Sequence, residues 1–424
     1  MRTTIILICS IFQFSSAFAV PRPQAPSQEL AALINEAIQN NSELKAGYNN
    51  WKSAESRISQ AGALPDPVLG LNLMNLPVDS YEFNQEPMTG KQISLKQKLP
   101  FPGKLGLHRK IAADKTKVQQ LKFLELQLQI KKQVKLQYFE LFFIDKAIET
   151  LEKNIMLLSQ SGKIAETRYR TGKGLLQDVL KLQVEISKLE ERIIRLKQSR
   201  EVIVIQLNKL LNRDSSHPFA AAVLPDDSFS QKSLIELKSA AAENRPLLLA
   251  WQALRGQSDH GVHLAQKSYL PDISLGIAYT HRDVLLNGSG GVDYISGSVS
   301  LSLPVYFWAK QKKEVEESKL KKISAQQDFE NVKQQIESEI EAKFSEMQKN
   351  HQLKELYNNR ILPQTRQALQ STLGAYQVSK TDFLTLLNSY STVYNYELEY
   401  YRVLTDCQKN QAELEALVGE SLDY

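Results

Sequence analysis

Glycine and proline are scarce in this chain, 18 and 15 of 424 residues, which excludes collagen-like and Pro/Gly-rich disordered architectures and leans the reading toward helix. Cysteine is rarer still. Cys9 sits inside an N-terminal apolar run, so removal of that run leaves Cys407 alone, with no intramolecular disulfide framework. An excess of one charge is lacking too: 52 Lys and Arg face 47 Asp and Glu, interleaved, a solvated surface that speaks against nucleic-acid binding. Beyond the N-terminus there is no long apolar stretch, so any membrane crossing does not use apolar helices. No Walker loop, dinucleotide fingerprint, HExxH or nucleophile elbow occurs, and the sequence implies neither an enzyme nor a cofactor. The Gly-rich "NGSGGVD" (Asn287 to Asp293) lies between two alternating stretches rather than before a helix, and reads as an external loop.

The N-terminus is informative. Arg2 precedes "IILICSIFQF" (Ile5 to Phe14), followed by Ala17-Phe18-Ala19, the small-x-small form of a signal-peptidase site. Residues 1–19 are read as a signal peptide, with the mature chain starting at Val20. Cys9 lies within the apolar run rather than at the cleavage site, so no lipid anchor is expected.

The mature chain repeats itself. "ALPDPVLGLNL" starts at Ala63 and "YLPDISLGIAY" at Tyr269, with Pro271 following Pro65 by 206 residues. After each "LPD" come two stretches of period two, the second ending in "LP", and period two means strands. In the first copy Leu69, Leu71 and Leu73, then Ile93, Leu95 and Leu99, alternate with residues such as Asn72, Ser94, Lys96 and Lys98. In the second copy Ile273, Leu275, Ile277 and Tyr279, then Ile295, Val299, Leu301 and Leu303, alternate mostly with Ser, Gly, Ala and Thr, including Ser296, Ser298 and Ser300. Each strand is expected at roughly nine to eleven residues, enough to cross a bilayer when tilted.

The flanking segments are helical. Leu141, Ile144, Ile148, Leu151, Ile155 and Leu158 form a coiled-coil seam, and a second runs from Val179 through Leu182, Ile186, Leu189 and Ile193 to Leu210. The second seam recurs 207 residues later, from Leu386 to Leu417. The reading is mainly α with a small β part, in two tandem repeats. The first covers 20–211 (helix, β-hairpin 67–99, long helical hairpin) and the second 232–424 (helix, β-hairpin 272–303, long helical hairpin), with 212–231 as linker. Each opening helix, roughly 28–62 and 232–266, is expected to stack end to end on a short return helix and so match a long rod.

Four strands cannot close a barrel, and a lipid-facing sheet with open edges is forbidden. Two copies give eight strands, with an interior filled by side chains. Three give twelve, wide enough for an aqueous lumen. The Lys and Ser faces would line it.

At "LPDPVLGLNLMNLPVDS", "FNQEPMTGKQISLKQKLPFPGKL" and "RYRTGKGLLQDVLKLQ" the chain resembles the TolC-like outer-membrane efflux proteins of Gram-negative bacteria, over essentially its whole mature length. "NQEPMTGKQ" and "LPFPGK" look most like the heavy-metal branch, which serves resistance-nodulation-division cation pumps. The resemblance implies a homotrimer with a twelve-stranded barrel in outer-membrane lipid on a periplasmic α-barrel, docked to a periplasmic adaptor protein and an inner-membrane pump. The family's tip motif maps onto Tyr169, Gly172 and Asp178. The second copy keeps Tyr376 but has Ser379 for Gly and Thr385 for Asp. Asp178 is the expected aperture residue, and the expected docking tips are Tyr169, Arg170, Gly172, Lys173, Tyr376, Val378, Ser379 and Lys380. Lys96, Lys98, Ser296, Ser298 and Ser300 are expected in the barrel lumen.

Other readings carry less. His260 and His263 have metal-ligand spacing, but no Cys or third His joins them, so an exposed polar face is preferred. Met74 and Met88 suit Cu(I) chemically, yet a loop separates them, and packing is preferred. A periplasmic coiled-coil adaptor would leave the two membrane-length hairpins unexplained, and an uptake porin would leave the rods unexplained. Organic toxins or secreted polypeptide are the alternative cargoes.

Overall fold

The computed structural model describes residues 26–224 and 232–422; the expected signal peptide, the Val20 start and part of the linker lie outside them. The chain opens with α1 (Pro26–Asn40) and α2 (Ser42–Gly62), followed by the hairpin β1 (Val68–Met74) and β2 (Gly90–Leu99). Then come α3 (Lys104–Arg170) and α4 (Leu176–Leu211). The second half repeats the order: α5 (Leu234–Asn244), α6 (Pro246–Lys267), β3 (Ile273–His281), β4 (Tyr294–Leu301), α7 (Gln311–Leu356), α8 (Leu362–Gln377) and α9 (Phe383–Val418). The strands run seven to ten residues, slightly shorter than expected.

At 67 residues, α3 is a rod about 100 Å long. The matching rod of the second half is interrupted by a π-helical turn, Tyr357–Ile361, just before Pro363, whose missing N–H cannot join an α-helical ladder. The heptad seams form its interior: Leu141, Leu151, Leu158, Leu182, Leu189, Ile193, Leu207, Leu386 and Leu414 are all buried. Tyr396 is the exception, more than a third exposed on the outer side of α9. Arg200, the one charged residue in the second seam, reaches Asp145 of α3 at 2.6 Å.

Each opening helix is broken in two rather than continuous. Asn41 caps α2, its Oδ1 accepting from the N–H groups of Glu43 and Leu44. Its Nδ2 donates to the carbonyl of Leu210 at 3.0 Å, so α2 begins where α4 ends. In the second half α6 starts with Pro246 at its first turn, and the end of α9 abuts it: a Cβ on Gly419 would meet the Asn244 carbonyl at 2.7 Å. Short helices thus stack end to end beside the long rods.

The four strands form one antiparallel sheet in the order β1-β2-β3-β4, leaving β1 and β4 as its edges. Among the described residues, no helix is long and apolar enough to cross a membrane.

Candidate functional site

Two regions hold the residues singled out in the sequence: the sheet and the helical tips. Across the sheet, residues paired between strands lie on the same side. Leu71, Ile93 and Tyr279 pair in sequence, and so do Leu69, Leu95 and Ile277. Leu275–Val299, Tyr279–Ile295 and Ile273–Leu301 continue the apolar side to β4. These side chains are exposed; Leu71 is 75% and Ile295 77% accessible. The opposite side carries Asn72, Gln92, Ser94, Lys96, Lys98, Ser274, Thr280, Ser296, Ser298 and Ser300, with Lys96 in line with Gly276 and Ser298. The register therefore puts all five residues expected in the lumen on one polar face. Glycine at 70 and 276 has a local cause: an added Cβ would lie 2.7 Å from Ser94 Oγ and 2.5 Å from Ser298 Oγ.

The sheet is tied to the rods by Asp272, the Asp of the second "LPD". Its Oδ1 accepts from the Phe101 N–H at 3.0 Å and from Lys104 Nζ at 2.8 Å, while Lys98 Nζ lies 3.3 Å from Oδ2. Its own N–H donates to Ser302 Oγ at 2.9 Å. Burial alone would raise its carboxyl, but Lys104, the Phe101 N–H and Lys98 outweigh it and hold the pKa at about 2. The second "LPD" thus clasps the "LPFPGK" of the first repeat.

At the other end, the turn after α3 is a Schellman cap. The Lys173 N–H reaches the Arg168 carbonyl at 2.8 Å, the Gly172 N–H reaches the Tyr169 carbonyl at 3.0 Å, and Gly172 has φ +69°. The second tip repeats it residue for residue: Lys380 N–H to Ala375 at 2.8 Å, Ser379 N–H to Tyr376 at 3.1 Å, and Ser379 at φ +63°. Replacement of Gly by Ser leaves the turn unchanged. Arg168, which the sequence reading passed over, links the two tips. It donates to the Tyr376 carbonyl and to Ser379 Oγ (2.8 Å), and its guanidinium lies 4.7 Å from the Tyr376 ring centre.

Among the expected docking residues Tyr376 is the buried one. Its side chain is buried against Phe383, which leaves the exposed Tyr169, Arg170, Lys173, Val378 and Lys380 as the accessible tip surface. Burial raises the Tyr376 phenol pKa, Arg168 pulls it back, and Asp178 raises it again. Asp178 stands half-buried in the first turn of α4, in a cleft of about 320 Å³ that also holds Lys173, Lys181, Tyr376 and Asp382. Asp382 was missed in the sequence. It caps α9, accepting from the Thr385 N–H at 2.7 Å, so the second hairpin carries its carboxylate three residues before the position matching Asp178. The helix-start pattern "TDF" was the available signal.

The histidine pair holds no metal cluster: His260 Nδ1 lies 2.7 Å from Asp114 Oδ2 on α3, and no group of three or more ligating side chains occurs among the described residues.

An exposed four-stranded sheet, apolar on one side and polar on the other, mounted on paired helical rods is the architecture of an outer-membrane channel subunit. The family model described as outer membrane efflux protein matches residues 33–213 and 237–420, and the chain belongs to that family. No curated protein matches it in sequence. Among solved structures it is similar to the outer membrane protein VceC of Vibrio cholerae (TM-score 0.79, 17% identity, 93% of this chain and 97% of that one). It is also similar to CusC (TM-score 0.81, 15% identity, 95% and 96%) and to the open-state MtrE channel of Neisseria gonorrhoeae (0.76, 16%, 93% and 89%). At these identities the likeness speaks for the fold.

Proposed function

We propose that three copies of this chain form one duct through the outer membrane, the exit of a tripartite efflux system whose cargo is heavy-metal cations. The sheet carries this reading: its apolar side is exposed, and its edges β1 and β4 have no strand partner among the described residues. An edge facing lipid leaves N–H and C=O groups unsatisfied at several kcal/mol each, so further copies must supply the closing strands. Twelve strands leave a water-filled bore, where eight are filled by their own side chains. Members of the family act as trimeric outer-membrane channels with adaptor and resistance-nodulation-division pump partners.

In this arrangement Lys96, Lys98, Ser296, Ser298 and Ser300 line the upper bore, and the tips around Gly172 and Ser379 meet the periplasmic adaptor. Three copies of Asp178 surround the axis at the periplasmic aperture. The duct performs no chemistry and passes on what the pump delivers. Heavy-metal cargo is supported by the "NQEPMTGKQ" and "LPFPGK" resemblance and by the carboxylates Asp178 and Asp382 in the tip cleft, since acidic rings favour cations. Growth of a deletion strain across a panel of metal salts, detergents and organic toxins tests the cargo. Sensitivity to metals is expected; sensitivity to organics alone would overturn the cargo and leave the duct standing.

A further inference from the structure

The repeat holds one contact whose counterpart is missing within a single chain. Asp272 clasps the segment after β2, but Asp66, the Asp of the first "LPD", is exposed and makes no hydrogen bond or ion pair among the described residues. The segment matching "LPFPGK" in the second half is "LPVYFWAK", Leu303 to Lys310. It is exposed as well, with Val305 at 57% and Trp308 at 57%. Lys310 is exposed and has no ion-pair partner among the described residues. So the first half offers an unused carboxylate, and the second half an unused strand edge with a cation below it.

The hairpin registers fix how these would meet. Gly70 pairs with Ser94 in the first hairpin and Gly276 with Ser298 in the second, so β3 repeats β1 and β4 repeats β2, position for position. The seam between the two halves is β2–β3, where Ser94 faces Ala278, Leu95 faces Ile277 and Gln97 faces Leu275. Replacing each residue by its repeat equivalent turns that seam into one between β4 and the β1 of another copy. Ser298 then faces Asn72, Val299 faces Leu71 and Leu301 faces Leu69. Each pair falls on matching faces, Ser with Asn on the polar side and the aliphatic pairs on the apolar side.

We propose that Asp66 is an inter-subunit residue: β4 pairs with the neighbouring copy's β1 in this register, and that neighbour's Asp66 clasps this chain's Leu303–Lys310 segment as Asp272 clasps Leu99–Lys104. The cation differs between the two clasps. Trp308 stands at the position matching Lys104, and Lys310, two residues on, replaces it at the start of α7. The Val305 N–H, equivalent to that of Phe101, closes on the Leu303 carbonyl at 2.9 Å in the single chain and must release it to complete the clasp. The proposal rests on the duct reading but is separable from it. Every seam around the assembly, within and between chains, becomes the same contact.

The test is cysteine cross-linking of the full chain in outer membranes, in a Cys9→Ser, Cys407→Ser background. Residues 72 and 298 lie on opposite edges of one chain's sheet and four positions out of line, more than about 14 Å apart at ~4.8 Å per strand, too far for an internal disulfide. Asn72→Cys with Ser298→Cys should give a ladder of covalent dimer and trimer on mild oxidation, at least tenfold faster than Asn72→Cys with Ser302→Cys. Faster bonding of Asn72→Cys to Ser296→Cys or Ser300→Cys would overturn the register. Asp66→Lys should remove at least nine-tenths of the trimer surviving in detergent, and adding Lys310→Asp should restore it. An unaffected trimer in Asp66→Lys would overturn the clasp. A trimer by light scattering without the 72–298 bond overturns this proposal alone, whereas a monomer overturns the duct itself.

Discussion

Single side chains carry much of the account, and Asp272 is the most exposed to test. Its folded pKa, about 2, lies below the ordinary value of 3.8. A depressed carboxyl contributes stability that is present above the unfolded pKa and is lost as pH falls through the folded one. The melting-temperature gap between wild type and Asp272→Asn should therefore shrink between about pH 4 and pH 2; a constant gap would refute the clasp. Arg168→Ala strips charged hydrogen bonds from the buried Tyr376 carbonyl and should weaken the tip by about 1–3 kcal/mol. Amide exchange over residues 370–385 should accelerate, with Arg168→Lys recovering only part of the protection. Unchanged exchange would show that Arg168 does not join the tips. Asp178→Asn keeps size while removing charge, so cation selectivity and multivalent block in planar bilayers should both weaken. If neither changes, the aperture lies elsewhere. Asp178 was singled out through the tip-motif resemblance, and its aperture role is what this variant tests. Arg168 was not legible, because its partners on the second tip are more than 200 residues away in sequence.

At the scale of elements, periodicity told strands from helices because their faces differ in kind: period two sets an exposed apolar side of the sheet against a polar one, and heptads pack against a partner helix. The breaks within the opening helices went unread, although both had local signals. Asn41 followed by Ser42 and Glu43 is an N-cap pattern, and Pro246 marks a first turn. The π-helical turn at Tyr357–Ile361 was signalled by Pro363, yet its effect depends on how the helix continues past it. The tips show geometry outlasting sequence, since Gly172 and Ser379 share one left-handed turn. Left-handed backbone costs a residue with a Cβ about 1 kcal/mol. Gly172→Ala should lower stability by about that amount, read by chemical denaturation. Ser379→Gly should be nearly neutral, because it relieves the backbone but loses the Arg168 hydrogen bond. A large loss on Ser379→Gly would mean that the hydrogen bond dominates.

The whole molecule explains why the chain is written twice. One repeat makes a hairpin and a rod; in the proposed trimer two would make a third of a ring whose internal seam is the template for the seams between copies. The end-to-end stacks, α4 on α2 and α9 on α6, were legible from helix lengths alone, since a 36-residue helix cannot match a 67-residue one unaided. The proposed number of copies follows from the sequence only as the smallest open solution, because one chain's sequence encodes its edges and not what pairs with them. The central claim is that these edges are closed by two further copies. Its most direct test is the protein mass of detergent-solubilised, full-length chain by light scattering, with the detergent contribution subtracted. Three chains per particle is the expected result, and a monodisperse monomer in mild detergent would contradict it.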